Sequence, residues 1–259
     1  MELKMKILAI GDVTSPGGVE HLRARLWKIR EKYGVDFCVV NGENASVING
    51  ISKEAAQTLL MSGADVITGG NHTMHNYSVH TFLEERSAII RPVNYGDKAP
   101  GRGYTVIDTG AYRVLVINAM GNIHIDPVLD SPYPYIDKVL RACEGAYDIA
   151  VLDIHAEATG EKLAVAHSYD GRINVIFGTH THVPTADYTV LPKGTGYVTD
   201  LGMCGESGGI LGMDIGTVLY KLKTRMPTRL KPSSGECFAD GVIFTLDGGV
   251  CTDITRIKF

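Results

Sequence analysis

The 259-residue chain has no Cys-x-x-Cys pair, no low-complexity stretch, no block of like charge and no apolar run near the length of a membrane-spanning helix. Each absence closes off a class of function. The five cysteines, Cys38, Cys143, Cys204, Cys237 and Cys251, are odd in number and widely spaced, which argues against a disulfide framework or a zinc-thiolate knot and leaves most as core residues. No Pro/Ser/Gly linker divides the sequence, so residues 1–259 read as a single domain. A formal net charge of −4 provides no electrostatic footprint for long nucleic acid, and a small anionic substrate fits better. Lys4 and Lys6 precede an apolar run too short for a signal peptide, so the expectation is a soluble, cytoplasmic protein with no membrane association.

What the chain does have is alternation of strand and helix. Apolar runs at 7–10, 37–40, 66–68, 149–152 and 173–177 read as buried strands. Between residues 19 and 33, Leu22, Leu26 and Ile29 recur at helical spacing with basic residues on the other faces, and Gly34 ends the helix. Ser52 caps a second helix that runs to Ser62 and stops at Gly63, with Ala55, Ala56, Leu59 and Leu60 facing inward. A third helix spans 77–86, and these units imply right-handed β-α-β crossovers in a largely parallel sheet. Further on, 104–108 and 113–118 form a hairpin, helices follow at 131–144 and 161–168, and strands at 188–191, 196–199, 242–246 and 252–258. The paired strands near the C-terminus predict a second, antiparallel-rich sheet, and two sheets with helices outside accommodate both patterns.

Each buried strand runs into a short polar segment. These are Gly11-Asp12, Gly42-Glu43-Asn44, Gly70-Asn71-His72, Asp153-Ile154-His155 and Gly178-Thr179-His180-Thr181-His182. Singly, each has a plainer reading: Gly-Asp caps helices, Asn-His builds turns, and a histidine ending a strand is more often a packed, satisfied group. Five at successive strand ends, gathered at one edge of a parallel-rich sheet, make a metal site, and one suited to two metals. Asp12 is a hard oxygen ligand, and Glu43 has two oxygens for two cations. Asn71 offers a neutral carbonyl oxygen. His180 and His182, two apart on an extended segment, face the same side and reach one cluster.

The same residues, in this order, resemble the calcineurin-like metallophosphoesterases, and more closely their YmdB-like bacterial branch, in which Glu43 replaces the more usual bridging Asp. The similarity spans nearly the whole chain, including 41–45, 153–162 and Thr199-Asp200-Leu201-Gly202-Met203. It departs from the branch at Met74-His75, at Gly121-Asn122-Ile123-His124 and at Glu206. The resemblance implies a four-layer α/β/β/α sandwich of two mixed sheets flanked by helices, and a dinuclear centre of iron or manganese. One metal would be held by Asp12, Glu43, Asn44 and His182 and the other by Glu43, Asn71, His155 and His180. It also implies a phosphodiester substrate, with 2′,3′-cyclic nucleotides leading, and leaves a homo-oligomer open.

The charge count agrees with that implication. Two divalent cations bring about +4, and Asp12, Glu43 and a bridging hydroxide about −3, so the site keeps roughly one positive charge for a phosphate ester. The expected reaction is in-line attack of the bridging hydroxide on phosphorus, with His72 as general acid. A phosphomonoesterase or nuclease using the same centre, and a non-enzymatic regulator that keeps the fold, are the alternatives. His75 and His124 read as exposed loop residues, His21, His80 and His167 as structural or exposed, Cys204 as a packed side chain, and Asp200 as a group that orients a metal-binding histidine.

Overall fold

A computed structural model describes residues 4–46 and 49–259. The first half contains β1 (Lys4–Ile10), β2 (Asp12–Val13), α1 (Pro16–Tyr33), β3 (Phe37–Asn41), α2 (Lys53–Met61), β4 (Val66–Thr68), α3 (Ser78–Glu85), β5 (Tyr104–Asp108) and β6 (Arg113–Met120). There follow α4 (Tyr133–Ala142), β7 (Ile149–His155), α5 (Thr159–Tyr169), β8 (Val175–Thr179), β9 (Thr189–Val190) and β10 (Gly196–Val198). The chain closes with β11 (Met203–Glu206), α6 (Ile215–Thr224), β12 (Cys237–Asp247) and β13 (Val250–Lys258).

The strands form two mixed sheets. One has the order β2-β11-β12-β1-β3-β4, with β13 on β12, and the other β5-β6-β7-β8-β10-β9. In the first, β1, β3 and β4 are parallel while β12 runs antiparallel to β1. In the second, β6, β7, β8 and β10 are parallel, with antiparallel β5 and β9 at the edges.

Period-two alternation assigns each strand residue to a layer. Met5, Ile7 and Ala9 of β1 pack with Phe37 and Val39 against Val116, Val151, Val175 and Phe177 of the other sheet. Their neighbours Leu8 and Ile10 face outward beneath Leu22 and Leu26 of α1, Leu59 of α2 and Phe82 of α3. The outer face of the second sheet, Leu115, Ile117, Ala150 and Leu152, lies under Ile136 and Val139 of α4 and Val165 and Tyr169 of α5. Three apolar layers between four structural ones make the α/β/β/α sandwich. Because both faces of each central strand are buried, these strands read as continuous apolar runs.

The helix ends follow local chemistry. The Ser15 side chain accepts from Gly18 N at 3.1 Å to start α1, and Gly34, at φ 64°, ends it. Ser52 caps α2 by accepting from Ala55 N at 3.1 Å.

Three expectations are corrected. The five polar segments do not share one sheet: β1, β3 and β4 carry three, while β7 and β8 of the second sheet carry two. The C-terminal strands build no second sheet. β12 lies beside β1 inside the first one, since residues 239–244 are buried and need cover on both faces. Finally, α6 is a helix where the sequence suggested none; it buries no residue, so no core-facing pattern marks it strongly.

Candidate metal centre

The polar segments of both sheets converge at one edge, and glycines make the approach possible. A Cβ at Gly11 would fall on the Gly202 carbonyl, and one at Gly70 on the His155 ring, 2.5 Å from Glu43 Oε2. Asn41, the last residue of β3, holds the turn after it by accepting from Glu43 N at 3.1 Å. Asp12, Glu43 and His155 are fully buried. One donor atom each of Glu43, His155 and His180 lie within 4.8 Å of one another, as do those of Asp12, Glu43 and His182. Glu43 is common to both groups. Asn71 Oδ1 joins the first, 3.0 Å from His155 Nε2.

The hydrogen bonds around each imidazole fix where its proton sits. The Thr179 hydroxyl donates to Asp153 Oδ1 at 2.7 Å, so at 2.9 Å it accepts from His155 Nδ1. His182 Nδ1 faces the Leu211 carbonyl at 3.1 Å and must donate to it. His180 Nε2 lies 3.1 Å from Glu157 Oε2 and donates there. The remaining nitrogen of each ring therefore turns a lone pair inward. Acceptor then meets acceptor: His155 Nε2 is 3.1 Å from His180 Nδ1 and 3.5 Å from Glu43 Oε2, and His182 Nε2 is 3.8 Å from Asp12 Oδ1. Asp12 Oδ1 is buried with no hydrogen-bond partner among the described residues. Such an arrangement is repulsive unless a proton or a cation lies among the acceptors, and nitrogen and oxygen donors of this kind fit first-row divalent metals.

Electrostatics point the same way. Burial, then the nearby charges of Glu43 and Asp200, push the Asp12 carboxyl well above its ordinary value. Burial pushes His155, His180 and His182 down, which keeps the rings neutral and able to ligate. Burial opposes the charge on Glu43 too, but with His155 neutral it is His72, protonated and hydrogen-bonded to the carboxylate through both ring and backbone amide, that holds Glu43 ionised.

His72 sits beside this cluster. Its backbone amide donates to Glu43 Oε2 at 2.8 Å and its Nδ1 lies 3.1 Å from Glu43 Oε1. Burial disfavours its charge, yet the bond to Glu43 prevails and its pKa is raised. Asn44 turns its amide nitrogen to Glu43 Oε1 at 2.5 Å; rotating the amide would present the oxygen a metal requires.

His180 and His182 reach the centre differently from the extended geometry expected of them. β8 ends at Thr179, and the two residues have φ of 101° and 63°, so left-handed turns rather than strand alternation aim their rings. The loop is clamped at its backbone. His180 N donates to Asp12 Oδ2 at 3.1 Å and Thr181 N to Asp200 Oδ2 at 3.1 Å. Fully buried Lys162 donates from Nζ to the Thr179 carbonyl and to Asp200 Oδ2, both at 2.7 Å. Asp200 thus acts on loop backbone and on Lys162, and does not touch a histidine as the sequence suggested.

Sequence reasoning missed Lys162, Glu157, Leu211 and the network under His155. In that network Asp153 Oδ2 accepts from Thr68 at 2.5 Å and Asn41 at 3.0 Å. Asp153 and His155 share a strand face at period two, which was a usable signal; a buried lysine on a helix leaves none. Away from the centre, His75 and His124 are exposed, and the His75 ring lies tilted against His72 with centroids 5.2 Å apart. His21 bonds the Phe259 carbonyl at 3.0 Å, and Cys204 is buried with its thiol pushed up by burial.

Comparison with known proteins identifies the family. The family model described as YmdB-like protein matches residues 8–257. A 2′,3′-cyclic-nucleotide 2′-phosphodiesterase of Bacillus subtilis is 39% identical over 243 residues, covering 94% of this chain and 92% of that protein. A hypothetical protein from Thermus thermophilus superposes with a TM-score of 0.92 at 36% identity, covering 98% of this chain and 99% of that one. A crystal structure described as a novel phosphatase of Mycoplasma pneumoniae also gives 0.92, at 27% identity, over 100% of this chain and 94% of that one. The strand-end residues, the sandwich that gathers them and these matches place the chain in the YmdB-like family of metallophosphoesterases.

Proposed function

We propose that the chain is a metal-dependent phosphodiesterase acting on small phosphodiesters, with 2′,3′-cyclic nucleotides as the leading substrates. The observation that carries this reading is the set of inward lone pairs and the orphaned Asp12 Oδ1 arranged in two groups around Glu43. Asp12, Glu43, Asn44 and His182 would hold one ion, and Glu43, Asn71, His155 and His180 the other; the mixed nitrogen and oxygen donors suit iron or manganese. Bound there, two such ions supply Lewis acidity towards phosphoryl oxygen and lower the pKa of water towards neutrality. The substrate class comes from the relative in Bacillus subtilis, whose name states it.

The protein's own residues do the rest. His72 is the most open of the clustered histidines, with 27% of its side chain exposed against 18% for His180 and 11% for His182. Its Nδ1 is committed to Glu43, so Nε2, which lies 3.3 Å from the Asn71 amide nitrogen, is the ring atom left to meet substrate. Held protonated by Glu43, it delivers a proton to the ester oxygen as the P–O bond breaks. Asp200 and Lys162 fix the loop that carries His180 and His182, and Thr179 fixes the tautomer of His155.

The test is turnover of 2′,3′-cyclic nucleotides and of simple phosphomonoesters by protein loaded with Mn²⁺ or Fe²⁺. Hydrolysis of the cyclic diesters is expected, and His72→Ala should keep its metals while losing about 10²- to 10⁴-fold in turnover. Turnover of monoesters alone would favour a phosphatase, and inactivity on every ester would remove the enzyme reading.

A further inference from the structure

A cleft of about 560 Å³ meets the metal centre at Asn44, and its lining also includes Thr14 and Ser46 together with Lys221, Arg229 and Lys231. No acidic residue is among its lining residues. The three cations are exposed, and among the described residues none pairs with a carboxylate. They come from α6 and the segment after it, where residues 221–231 also carry Lys223 and Arg225 and no acid, in a chain whose net charge is −4. A local concentration of positive charge in an otherwise acidic protein attracts an anion to that place. Asn44, whose amide touches Glu43 of the centre, also lines the cleft, so the cleft adjoins the centre on the Asn44 side.

We propose that Lys221, Arg229 and Lys231 form a specificity subsite for a second phosphate of the substrate, the one on the 5′ oxygen of the nucleoside whose 2′,3′-cyclic phosphate is hydrolysed. The proposal rests on the phosphodiesterase reading above. A 2′,3′-cyclic phosphate uses both ring hydroxyls of the ribose, so the 5′ oxygen is the one sugar position left to carry another phosphate. Arg229 offers a planar fork for two phosphate oxygens, and the two lysines add point charges. Thr14 and Ser46 add hydroxyls to the same cleft. The preferred substrate is therefore a nucleoside 2′,3′-cyclic phosphate bearing a 5′-phosphate, free or as the link to a preceding nucleotide.

The experiment compares kcat/KM for adenosine 2′,3′-cyclic phosphate, its 5′-phosphorylated form and a dinucleotide ending in a 2′,3′-cyclic phosphate. It uses the metal-loaded wild type and the triple variant Lys221→Ala, Arg229→Ala, Lys231→Ala. The wild type should favour 5′-phosphorylated adenosine 2′,3′-cyclic phosphate over its unphosphorylated form by about tenfold or more, and the variant should lose that preference while still hydrolysing the unphosphorylated nucleotide as the wild type does. An equal gain with the dinucleotide would assign the site to an RNA end; a gain with the free 5′-phosphate alone would assign it to a mononucleotide. No preference in the wild type, or one unchanged in the variant, overturns the subsite. If the wild type hydrolyses none of the three, the activity reading fails and calorimetry decides: adenosine 3′,5′-bisphosphate must bind about tenfold tighter than adenosine 3′-monophosphate, and equal affinities overturn the subsite.

Discussion

One hydroxyl illustrates how much of the centre depends on single atoms. Thr179 donates to Asp153 and so obliges His155 to point its lone pair inward. Thr179→Val keeps the shape and removes the relay; metal affinity should fall by roughly 10- to 100-fold in a calorimetric titration, with the fold unchanged. Unchanged affinity would show that the tautomer is set by other means. Gly70→Ala should abolish metal binding outright, because its methyl would occupy the space of the His155 ring and crowd Glu43. Asp153 supplies a pH signature. Burial, opposed by hydrogen bonds from Thr68, Thr179 and Asn41, pushes its carboxyl up to about 6. A raised carboxylate binds its proton more tightly folded than unfolded, so its ionised form costs stability above that value. In metal-free protein the wild type should gain stability relative to Asp153→Asn as pH falls from about 6 to 4, and a constant difference in melting temperature would contradict this.

At the scale of elements, the sequence located the strands well because hydrophobicity dictates them. Predicted strand 66–68 coincides with β4, and 7–10 and 37–40 fall inside β1 and β3, which are buried on both faces. The loops were less legible. His180-Thr181-His182 looks extended on paper, but its left-handed turns are held by partners remote in sequence, Asp12, Lys162 and Asp200. Non-glycine residues in that conformation cost about 1–3 kcal/mol each, so the clamp must persist for the rings to stay aimed. Lys162→Met leaves Asp200 buried without its cation and should lower stability by about 3–5 kcal/mol in chemical denaturation. A neutral effect would mean that the backbone amides of Thr181 and Gly202, which donate to Asp200 at 3.1 and 3.0 Å, suffice. The helix α6 escaped notice for the opposite reason: it buries nothing, and the proposed role of Lys221 concerns charge and not packing.

Across the whole molecule, the two sheets divide the chemistry between them. The proposed oxygen ligands, Asp12, Glu43, Asn44 and Asn71, lie on the first sheet and its loops, and the proposed nitrogen ligands, His155, His180 and His182, on the second. Strand ends pointed to these residues individually, yet the assignment of strands to sheets was not legible. It depends on β12 inserting beside β1, a pairing between chain ends that no local pattern encodes. Ions shared by both sets would tie one sheet to the other, so chelation should lower the melting temperature, and Mn²⁺ or Fe²⁺ should restore it in a concentration-dependent way.

Glu43 would join the two coordination groups into one dinuclear centre, and elemental analysis counts the ions it holds. After saturation with Mn²⁺ or Fe²⁺ and removal of excess, the wild type should retain about two ions per chain and Glu43→Ala essentially none, with both proteins folded by circular dichroism. A wild type that retains no metal, or a Glu43→Ala variant that retains the full complement, would rule out a centre built on Glu43.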